Sequence, residues 1–292
     1  MIVVAGGTGT LGTRLVPLLT DRGANVHILT RDPDRAAPLS AIGAHAVRGD
    51  VRNPASVAAA VEGADLVISA VHGFSGPGRV SPASVDQAGN ANLITAAVHA
   101  GAAFLLLSVV GASPSHPIGL FRAKYDAEQM LRASGLDWTV VRSTAFVETW
   151  AVIMSETLQR SGKIMVFGRG NNPVNFVSAT DVAALVARAA LDSGLRGQVL
   201  EIGGPANATF NQFAVLMQDL TGCHRKVQHI PRAALRAMAW LTAGAKPDLA
   251  RQARAALAMD AIDMTFDAAG ARRAFADLPN TDMTSALKEF LT

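Results

Sequence analysis

The sequence has very little cysteine: Cys223 is the single one among 292 residues. One cysteine cannot form a disulfide within the chain, so a disulfide-stapled fold is excluded and a reducing compartment is favoured. Runs of lysine and arginine are also missing, although the formal net charge is +3. Nucleic-acid binding therefore has no support, because it requires basic residues clustered on one surface.

Long apolar runs and targeting signals are absent as well. The longest purely apolar runs, such as Phe104 to Leu107, fall far short of the roughly 20 residues that a membrane-spanning helix needs. Met1 leads directly into an apolar strand, with neither a basic segment nor a small-residue cleavage site. We therefore expect a cytoplasmic protein, a monomer or a homodimer, with no membrane partner and a small molecule as its substrate.

The first half of the chain alternates short apolar, β-branched runs with Ala- and Leu-rich segments of helical spacing. Strands that are apolar throughout are typical of a parallel sheet buried on both faces, and the alternation predicts a doubly wound α/β fold. The predicted strands are Ile2–Ala5, Asn25–Thr30, His45–Arg48, Leu66–Val71, Phe104–Ser108 and Thr139–Arg142. The predicted helices are Leu11–Arg22, Asp34–Ile42, Pro54–Glu62, Ser84–Ala100 and Arg122–Ser134.

The second half is less regular. Its predicted strands are Val174–Val177 and Val199–Ile202, and its predicted helices are Val182–Leu191, Asn211–Thr221, Arg232–Thr242, Pro247–Met259 and Thr284–Leu291. The segment Ser178–Asp181 is expected to cap the first of these helices. We expect residues 1–144 to form the α/β core. Residues 145–292 are expected to form a small C-terminal α/β lobe, interleaved with the core at the sheet edge where ligands of such folds bind.

The strongest motif is a glycine-rich turn that follows the first strand and opens the first helix. Its spacing and position are those of a dinucleotide-binding turn, and the helix N-terminus offers N–H groups and partial positive charge to phosphates. Gly6 permits a tight turn, Gly9 leaves room for a pyrophosphate, and Gly12 permits close packing of the helix on the sheet. The predicted dinucleotide contacts in this turn are Gly6, Thr8, Gly9, Thr10, Leu11 and Gly12.

Further motifs follow the ends of the predicted strands. They are Gly49-Asp50-Val51, Asp65 to Ala70, Leu107-Ser108, Phe121 to Lys124 with Glu128, and Thr139 to Arg142. Together with the glycine-rich turn they resemble the atypical short-chain dehydrogenases/reductases, in particular the NmrA-like and isoflavone-reductase-like branch. The resemblance covers about residues 1–205. It implies a Rossmann fold, a nicotinamide cofactor, and a substrate cleft under the C-terminal lobe.

The resemblance also implies which residues contact the cofactor. Asp50 is expected to hold the adenine edge. The other implied contacts are Val51, Ser69, Ala70, Val71, His72, Ser143 and Phe146. The segment from His72 to Gly78 is expected to be a mobile loop that closes over cofactor or substrate.

The end of the second strand distinguishes NADP(H) from NAD(H). An NAD-selective protein has an acid there to bind the ribose hydroxyls, whereas this chain has Thr30 followed by Arg31. The Arg31 guanidinium is suited to pair with a 2′-phosphate and to stack on the adenine, with Arg35 as a second contact. Asp32 is the competing interpretation, as a displaced ribose ligand. We expect NADP(H), with NAD(H) as the alternative.

The Tyr-x-x-x-Lys pair of most short-chain reductases is incomplete in this chain. Lys124 has the position of the lysine, but Leu120 stands where the tyrosine belongs. The single tyrosine, Tyr125, follows Lys124 directly and lies about 100° further around the helix. We expect Lys124 to be both a cofactor contact and a catalytic residue, because a lysine in an apolar cleft can have a depressed pKa that suits it to proton transfer. The alternative is that Lys124 binds the nicotinamide ribose and has no chemical role. Ser108 is expected to be a second catalytic residue that hydrogen-bonds a substrate carbonyl.

Three interpretations of the chemistry stay open. Lys124 supplies or relays a proton, or the substrate is a quinone that needs no acid, or the protein binds the dinucleotide without turnover. The expected function is an NADPH-dependent oxidoreductase that transfers hydride to a small apolar quinone, enone or carbonyl compound. The alternative is a non-catalytic NADP(H)-sensing regulator of NmrA type, and the missing tyrosine disfavours sugar-nucleotide epimerisation. The sequence has no metal-ligand spacing, hydrolase elbow or phosphate-loop lysine.

Overall fold

The structure is a computed structural model, and it describes residues 1–74, 76, 80–222 and 226–292. Cys223 lies outside the described residues, as do Ser75, Pro77 and Gly78 of the predicted loop. The chain forms two compact units. The first contains Met1–Ser143 and Thr180–Glu201, and the second contains Thr144–Ala179 and Ile202–Thr292. The glycine-rich turn and Lys124 therefore belong to the same unit.

The bounds of the regular elements are as follows. The strands are β1 (Ile2–Ala5), β2 (Val26–Thr30), β3 (His45–Arg48), β4 (Leu66–Ser69), β5 (Ala103–Val109), β6 (Trp138–Ser143), β7 (Ala145–Phe146), β8 (Met165–Phe167), β9 (Pro173–Val177), β10 (Gln198–Ile202), β11 (Asn207–Thr209) and β12 (Gln228–Ile230). The α-helices are α1 (Gly12–Thr20), α2 (Ala37–Ser40), α3 (Pro54–Val61), α4 (Ala88–Ala100), α5 (Gly119–Ala133), α6 (Val147–Ser161), α7 (Ala179–Leu191), α8 (Phe210–Thr221), α9 (Arg232–Leu241), α10 (Pro247–Met259), α11 (Ala269–Ala274) and α12 (Met283–Leu291).

A seven-stranded sheet has the strand order β10-β6-β5-β4-β1-β2-β3. Strands β1 to β6 pair in parallel with their neighbours. The chain first builds outward from β1 through β2 to β3, and then continues on the other side of β1 with β4, β5 and β6. The order reverses between β1 and β4, which is the switch point of a doubly wound sheet. This topology confirms the predicted Rossmann-type α/β fold.

Apolar side chains from both strands and helices form the core of the first unit. Strands β1 and β4 are buried along their whole lengths. Val3 and Leu106 of the sheet pack in one cluster with Leu93 of α4 and Leu131 of α5, all of them buried. Burial of each such leucine contributes about 1.5–3 kcal/mol. Among the described residues, no helix is both long enough and apolar enough to cross a lipid bilayer.

The segment after β2 differs from its prediction. In place of a helix over Asp34–Ile42, a 3₁₀ turn covers Pro33–Ala36 and is followed by the single turn of α2. Pro38 explains the break, because it has no N–H to donate and its ring clashes with the carbonyl four residues earlier. The strand β4 also ends at Ser69, two residues before its predicted end.

The second unit contains a three-stranded sheet, β11-β9-β7, and a two-stranded sheet, β12-β8. Its helix α6 was not predicted from the sequence. Glu148 of α6, which was not predicted from the sequence, accepts hydrogen bonds from Ser178 and Ala179 at the start of α7. The Ala179 N–H donates to both carboxylate oxygens of Glu148 at 3.0 Å, and the Ser178 hydroxyl donates to one of them at 3.2 Å. A carboxylate at a helix N-terminus is stabilised by the helix dipole.

A buried ion pair joins α5 to β6 in the first unit. The Glu128 carboxylate is 0% exposed. It accepts hydrogen bonds from Arg142 Nε at 3.0 Å and from Nη2 at 2.7 Å. These bonds to Glu128 raise the pKa of Arg142. Such bidentate pairs are strong, and the loss of one partner leaves an uncompensated buried charge.

We predict that Arg142→Leu lowers the free energy of unfolding by about 3 kcal/mol, because it removes the nearest counter-charge of the buried Glu128 carboxylate and leaves it with the more distant Arg132, at 3.9 Å. Urea denaturation measures the loss. The control is Arg160→Leu, which removes the exposed i,i+4 pair of Arg160 with Glu156 and should change stability by no more than about 0.5 kcal/mol. Equal losses in the two variants would contradict the prediction.

Candidate functional site

The glycine-rich turn folds tightly against the end of β4. Gly6 has a φ of +89°, and a Cβ at Gly6 would lie 2.7 Å from the carbonyl oxygen of Ala70. A Cβ at Gly12 would lie 2.4 Å from the Gly6 carbonyl oxygen and 2.4 Å from backbone atoms of Gly7. The turn is closed by the Gly9 N–H, which donates to the Gly6 carbonyl at 3.0 Å. Both ends of the turn therefore require glycine.

The N-terminus of α1 opens from this turn. Its N-cap residue, Leu11, has no side-chain cap, so the first-turn N–H groups are not satisfied by a neighbouring hydroxyl or carboxylate. Gly9 is exposed, and Thr8 and Thr10 are half-buried. Arg14 Nη1 donates to the Thr10 carbonyl at 3.0 Å and brings a guanidinium beside the turn. Sequence reasoning missed Arg14. This arrangement is suited to bind a phosphate group.

Arginine side chains lie at the ends of β2 and β3. Arg31 is exposed directly after β2, and Arg35 Nη2 donates to the Thr8 carbonyl at 3.3 Å. Arg52, which sequence reasoning also missed, holds the Asp50 carboxylate with side-chain bonds of 2.6–3.1 Å. These bonds to Arg52 lower the pKa of Asp50, and the charge of Arg31 adds to the effect. The structure thus brings Arg31 and Asp50 together, as the sequence predicts.

Asp32, the competing ribose ligand, is engaged with its own segment. One of its carboxylate oxygens accepts the Asp34 N–H at 3.3 Å and caps the 3₁₀ turn. The hydroxyl of Thr30 donates to the Asp32 carbonyl at 3.1 Å. The Asp32 carboxylate therefore has a structural partner, whereas the guanidinium of Arg31 extends from the surface.

Lys124 is buried, and its ammonium group contacts a backbone carbonyl and a carboxylate. Its side chain is 3% exposed. The ammonium nitrogen donates to the Val71 carbonyl at 2.8 Å and lies 3.1 Å from Asp86 Oδ1. An opposite charge in contact stabilises a buried ammonium group. Because Val71 follows β4, the Lys124 ammonium lies beside the switch point between β1 and β4.

Asp86 is the centre of a buried polar cluster that also contains Ser69, Gly73 and Asn90. Asp86 Oδ2 accepts the Gly73 N–H at 2.8 Å, and its backbone carbonyl accepts from Asn90 Nδ2 at 2.7 Å. The Ser69 hydroxyl donates to Asn90 Oδ1 at 2.5 Å. The Ser69 side chain, a predicted cofactor contact, is therefore buried with Asn90 as its partner. Neither Asp86 nor Asn90 was predicted from the sequence.

His72 lies between Val71 and Gly73 and has an exposed side chain. Enough protein nevertheless surrounds the ring that desolvation lowers the pKa of His72, with the Asp86 charge opposing this shift and the Lys124 charge adding to it. The ring is therefore open to solvent on one side and close to both charged groups.

Several other predicted residues have partners outside this cluster. Ser108 donates its hydroxyl proton to the buried Glu128 at 2.5 Å, so in this structure that proton is directed to Glu128. Ser143 is buried on β6, where its carbonyl accepts the Val110 N–H at 3.0 Å. The Val51 carbonyl accepts from Asn92 Nδ2 at 2.8 Å. Phe146 belongs to the second unit, where β7 pairs with β9.

A family model described as NAD(P)H-binding matches residues 6–193 of this chain. The chain belongs to this NAD(P)H-binding family. The match begins at the first glycine of the turn and includes Arg31, Asp50, Asp86 and Lys124. Membership confirms the resemblance to atypical short-chain dehydrogenases/reductases and the expectation of a nicotinamide cofactor.

The proteins similar to this NAD(P)H-binding chain have names that describe different functions. The NAD(P)H azoreductase of Xenophilus azovorans is 30% identical over 232 residues, which cover 79% of this chain and 76% of that protein. The photosystem II assembly factor Ycf39 of Synechocystis is 29% identical over 246 residues, or 81% of this chain and 72% of that protein. An NADPH-dependent quinone oxidoreductase of Escherichia coli, solved with NADPH, has a TM-score of 0.78 at 21% identity over 100% of both chains. At that identity the structural likeness shows the fold alone.

We predict that Gly12→Ala raises the Kd for NADPH at least about tenfold. The new Cβ meets rigid backbone of Gly6 and Gly7, and overpacking of this kind costs about 1–3 kcal/mol. Titration of NADPH fluorescence measures the Kd. The matched control is Gly270→Ala in α11, where a Cβ meets nothing within 4 Å. That variant should keep the wild-type Kd, and unchanged NADPH binding in Gly12→Ala would contradict the assignment of the turn.

Proposed function

We propose that this chain is an NADPH-dependent oxidoreductase that transfers hydride to a small apolar quinone, enone or carbonyl compound. One observation carries the proposal. In an NAD(P)H-binding chain, a buried lysine ammonium is held at the switch point of the sheet, between the Val71 carbonyl and Asp86. Ligands of doubly wound folds bind at this point.

The residues of the first unit fit a nicotinamide dinucleotide. The N-terminus of α1, with Arg14 beside it, would hold the pyrophosphate. Arg31 and Arg35 would hold the adenosine 2′-phosphate, with Asp50 at the adenine edge. The cofactor supplies hydride from nicotinamide C4, whereas the protein supplies binding and orientation.

Lys124 would orient the nicotinamide ribose. A lysine ammonium has three N–H donors, and among the described residues only the Val71 carbonyl and Asp86 contact it. The remaining donor can bind a ribose hydroxyl. Loss of a proton from Lys124 would leave Asp86 buried without a counter-charge, so Lys124 is poorly suited to protonate a substrate.

Acceptors that need no enzymic acid fit such a site best. A quinone that accepts hydride becomes a stabilised anion, which solvent can protonate. Two similar proteins support this substrate class. One relative is an azoreductase, and a protein of the same fold is a quinone oxidoreductase.

A non-catalytic NADP(H)-sensing role is the second candidate. The relative named as a photosystem II assembly factor favours it, and so does the absence of the catalytic tyrosine. The sensing role requires cofactor binding but no turnover, so one assay separates the two functions.

The test is NADPH oxidation by the purified protein with a panel of quinones, enones, azo dyes and aldehydes, with NADH in parallel. We expect turnover of a quinone with NADPH. In Lys124→Met, kcat should fall by about 10- to 100-fold while the Kd for NADPH changes less, because orientation rather than phosphate binding is lost. Tight NADPH binding with no turnover of any acceptor would instead support the sensor.

We predict that Arg31→Ala raises the Kd for NADPH by about 10- to 100-fold and leaves the Kd for NADH almost unchanged. A hydrogen bond to a charged group contributes about 1.5–3 kcal/mol, and only NADPH has the 2′-phosphate. Arg22→Ala is the control, because it removes the same charge from the C-terminal end of α1, where Arg22 Nη1 donates to the Leu18 carbonyl. Equal losses for both cofactors in Arg31→Ala would refute the NADP(H) assignment.

A further inference from the structure

Asp86 is a fully buried carboxylate that no sequence motif singled out. It is 0% exposed and lies in a π-helical turn, Pro82–Gln87, at the start of α4. The turn is capped by the Ser81 hydroxyl, and at its end the Ala88 N–H donates to the Ala83 carbonyl, five residues earlier. π-helical turns are rare in proteins, and those that occur are often found at functional sites.

The two carboxylate oxygens of Asp86 have different partners. Oδ2 accepts the Gly73 N–H at 2.8 Å. Oδ1 accepts no hydrogen bond from the described residues, and the Lys124 ammonium is its contact, at 3.1 Å. One carboxylate thus holds both the segment after β4 and the lysine on α5.

We propose that Asp86 is a positioning residue that acts through Lys124. Its charge holds the ammonium group at the Val71 carbonyl, and its second oxygen fixes Gly73, so the lysine and residues 71–73 keep one arrangement. The proposal rests on the proposed role of Lys124 in orienting the nicotinamide ribose. It adds that this role depends on the charge of Asp86.

The need for such a residue follows from the lysine side chain. Lysine has a flexible four-carbon stem, so a precise orientation requires fixed partners at the ammonium group. The Val71 carbonyl fixes the position of the ammonium group from one side but carries no charge. The Asp86 carboxylate fixes the ammonium group from a second side and provides the counter-charge that a buried ammonium requires. The Asn90 side chain, bound to the Asp86 carbonyl at 2.7 Å, holds the turn that carries the carboxylate.

The test compares three variants: Asp86→Asn, Lys124→Met and the double variant. Asp86→Asn keeps one oxygen acceptor for the Gly73 N–H, removes the charge, and replaces the oxygen that faces Lys124 with an NH2 group. We expect it to lower kcat about tenfold or more and to raise the Kd for NADPH by a smaller factor. Because Asp86 acts through Lys124, the double variant should have the same kcat and Kd as Lys124→Met.

A matched control separates positioning from folding stability. Glu128→Gln neutralises another fully buried carboxylate, one paired with Arg142 outside the proposed site. It should lower the melting temperature while it keeps the wild-type kcat and Kd. Asp86→Asn and Lys124→Met each leave one buried charge unpaired, whereas the double variant leaves none. The melting temperatures of all three variants are therefore measured, and their kcat and Kd are compared at a temperature at which each of them is folded.

Two outcomes would overturn the proposal. One is a wild-type kcat and Kd in Asp86→Asn. The other is a double variant whose kcat and Kd differ from those of Lys124→Met by the same factors by which Asp86→Asn differs from the wild type. The Kd is measured from NADPH fluorescence and needs no turnover. Failure of the proposed oxidoreductase activity therefore leaves the comparison of Kd values intact, and the two failures are distinguishable.

Discussion

The close approach of the glycine-rich turn to the end of β4 is the constraint on which the site depends. Gly6 has its backbone so near Ala70 that a methyl group would not fit, and Gly12 packs in the same way on Gly6 and Gly7. This contact places the N-terminus of α1 next to the segment that begins at Ala70. Phosphate-binding N–H groups and the Lys124 ammonium thereby come to the same end of the sheet, at the point where the strand order reverses.

Charge is arranged differently at the two sides of this point. Arg31 and Arg35, after β2, are exposed and carry charges suited to a dianionic phosphate. At the other side the charges of Lys124 and Asp86 are buried and compensate each other. Under the proposed function, the first side would contribute affinity and selectivity between NADPH and NADH, whereas the second has little net charge and would contribute orientation. Separate substitutions can change the two properties separately.

Periodicity and glycine spacing predicted the parallel sheet and the turn, because buried parallel strands and tight turns restrict residue type locally. The π turn, Asp86 and Asn90 could not be predicted in this way. Their roles come from contacts between β4, α4 and α5 that are distant in sequence, and an aspartate within an Ala-rich helix has no local signature. The bond from Ser108 to Glu128 could not be predicted for the same reason, since Glu128 lies on another element. In the second unit, strands of two or three residues, such as β7, are too short to show the alternation of apolar and polar residues that predicts a strand.

The Lys124–Asp86 pair also explains how a reductase site can exist without the usual tyrosine. In a Tyr-x-x-x-Lys site the lysine charge acts on the tyrosine, which then exchanges a proton with the substrate. Here Leu120 has no proton to exchange, and the lysine charge is directed to a buried carboxylate instead. A site of this kind can orient a cofactor but cannot protonate a product efficiently. Under the proposed function, the expected acceptors are therefore those whose reduced form is stable as an anion until solvent protonates it, which favours quinones over simple ketones.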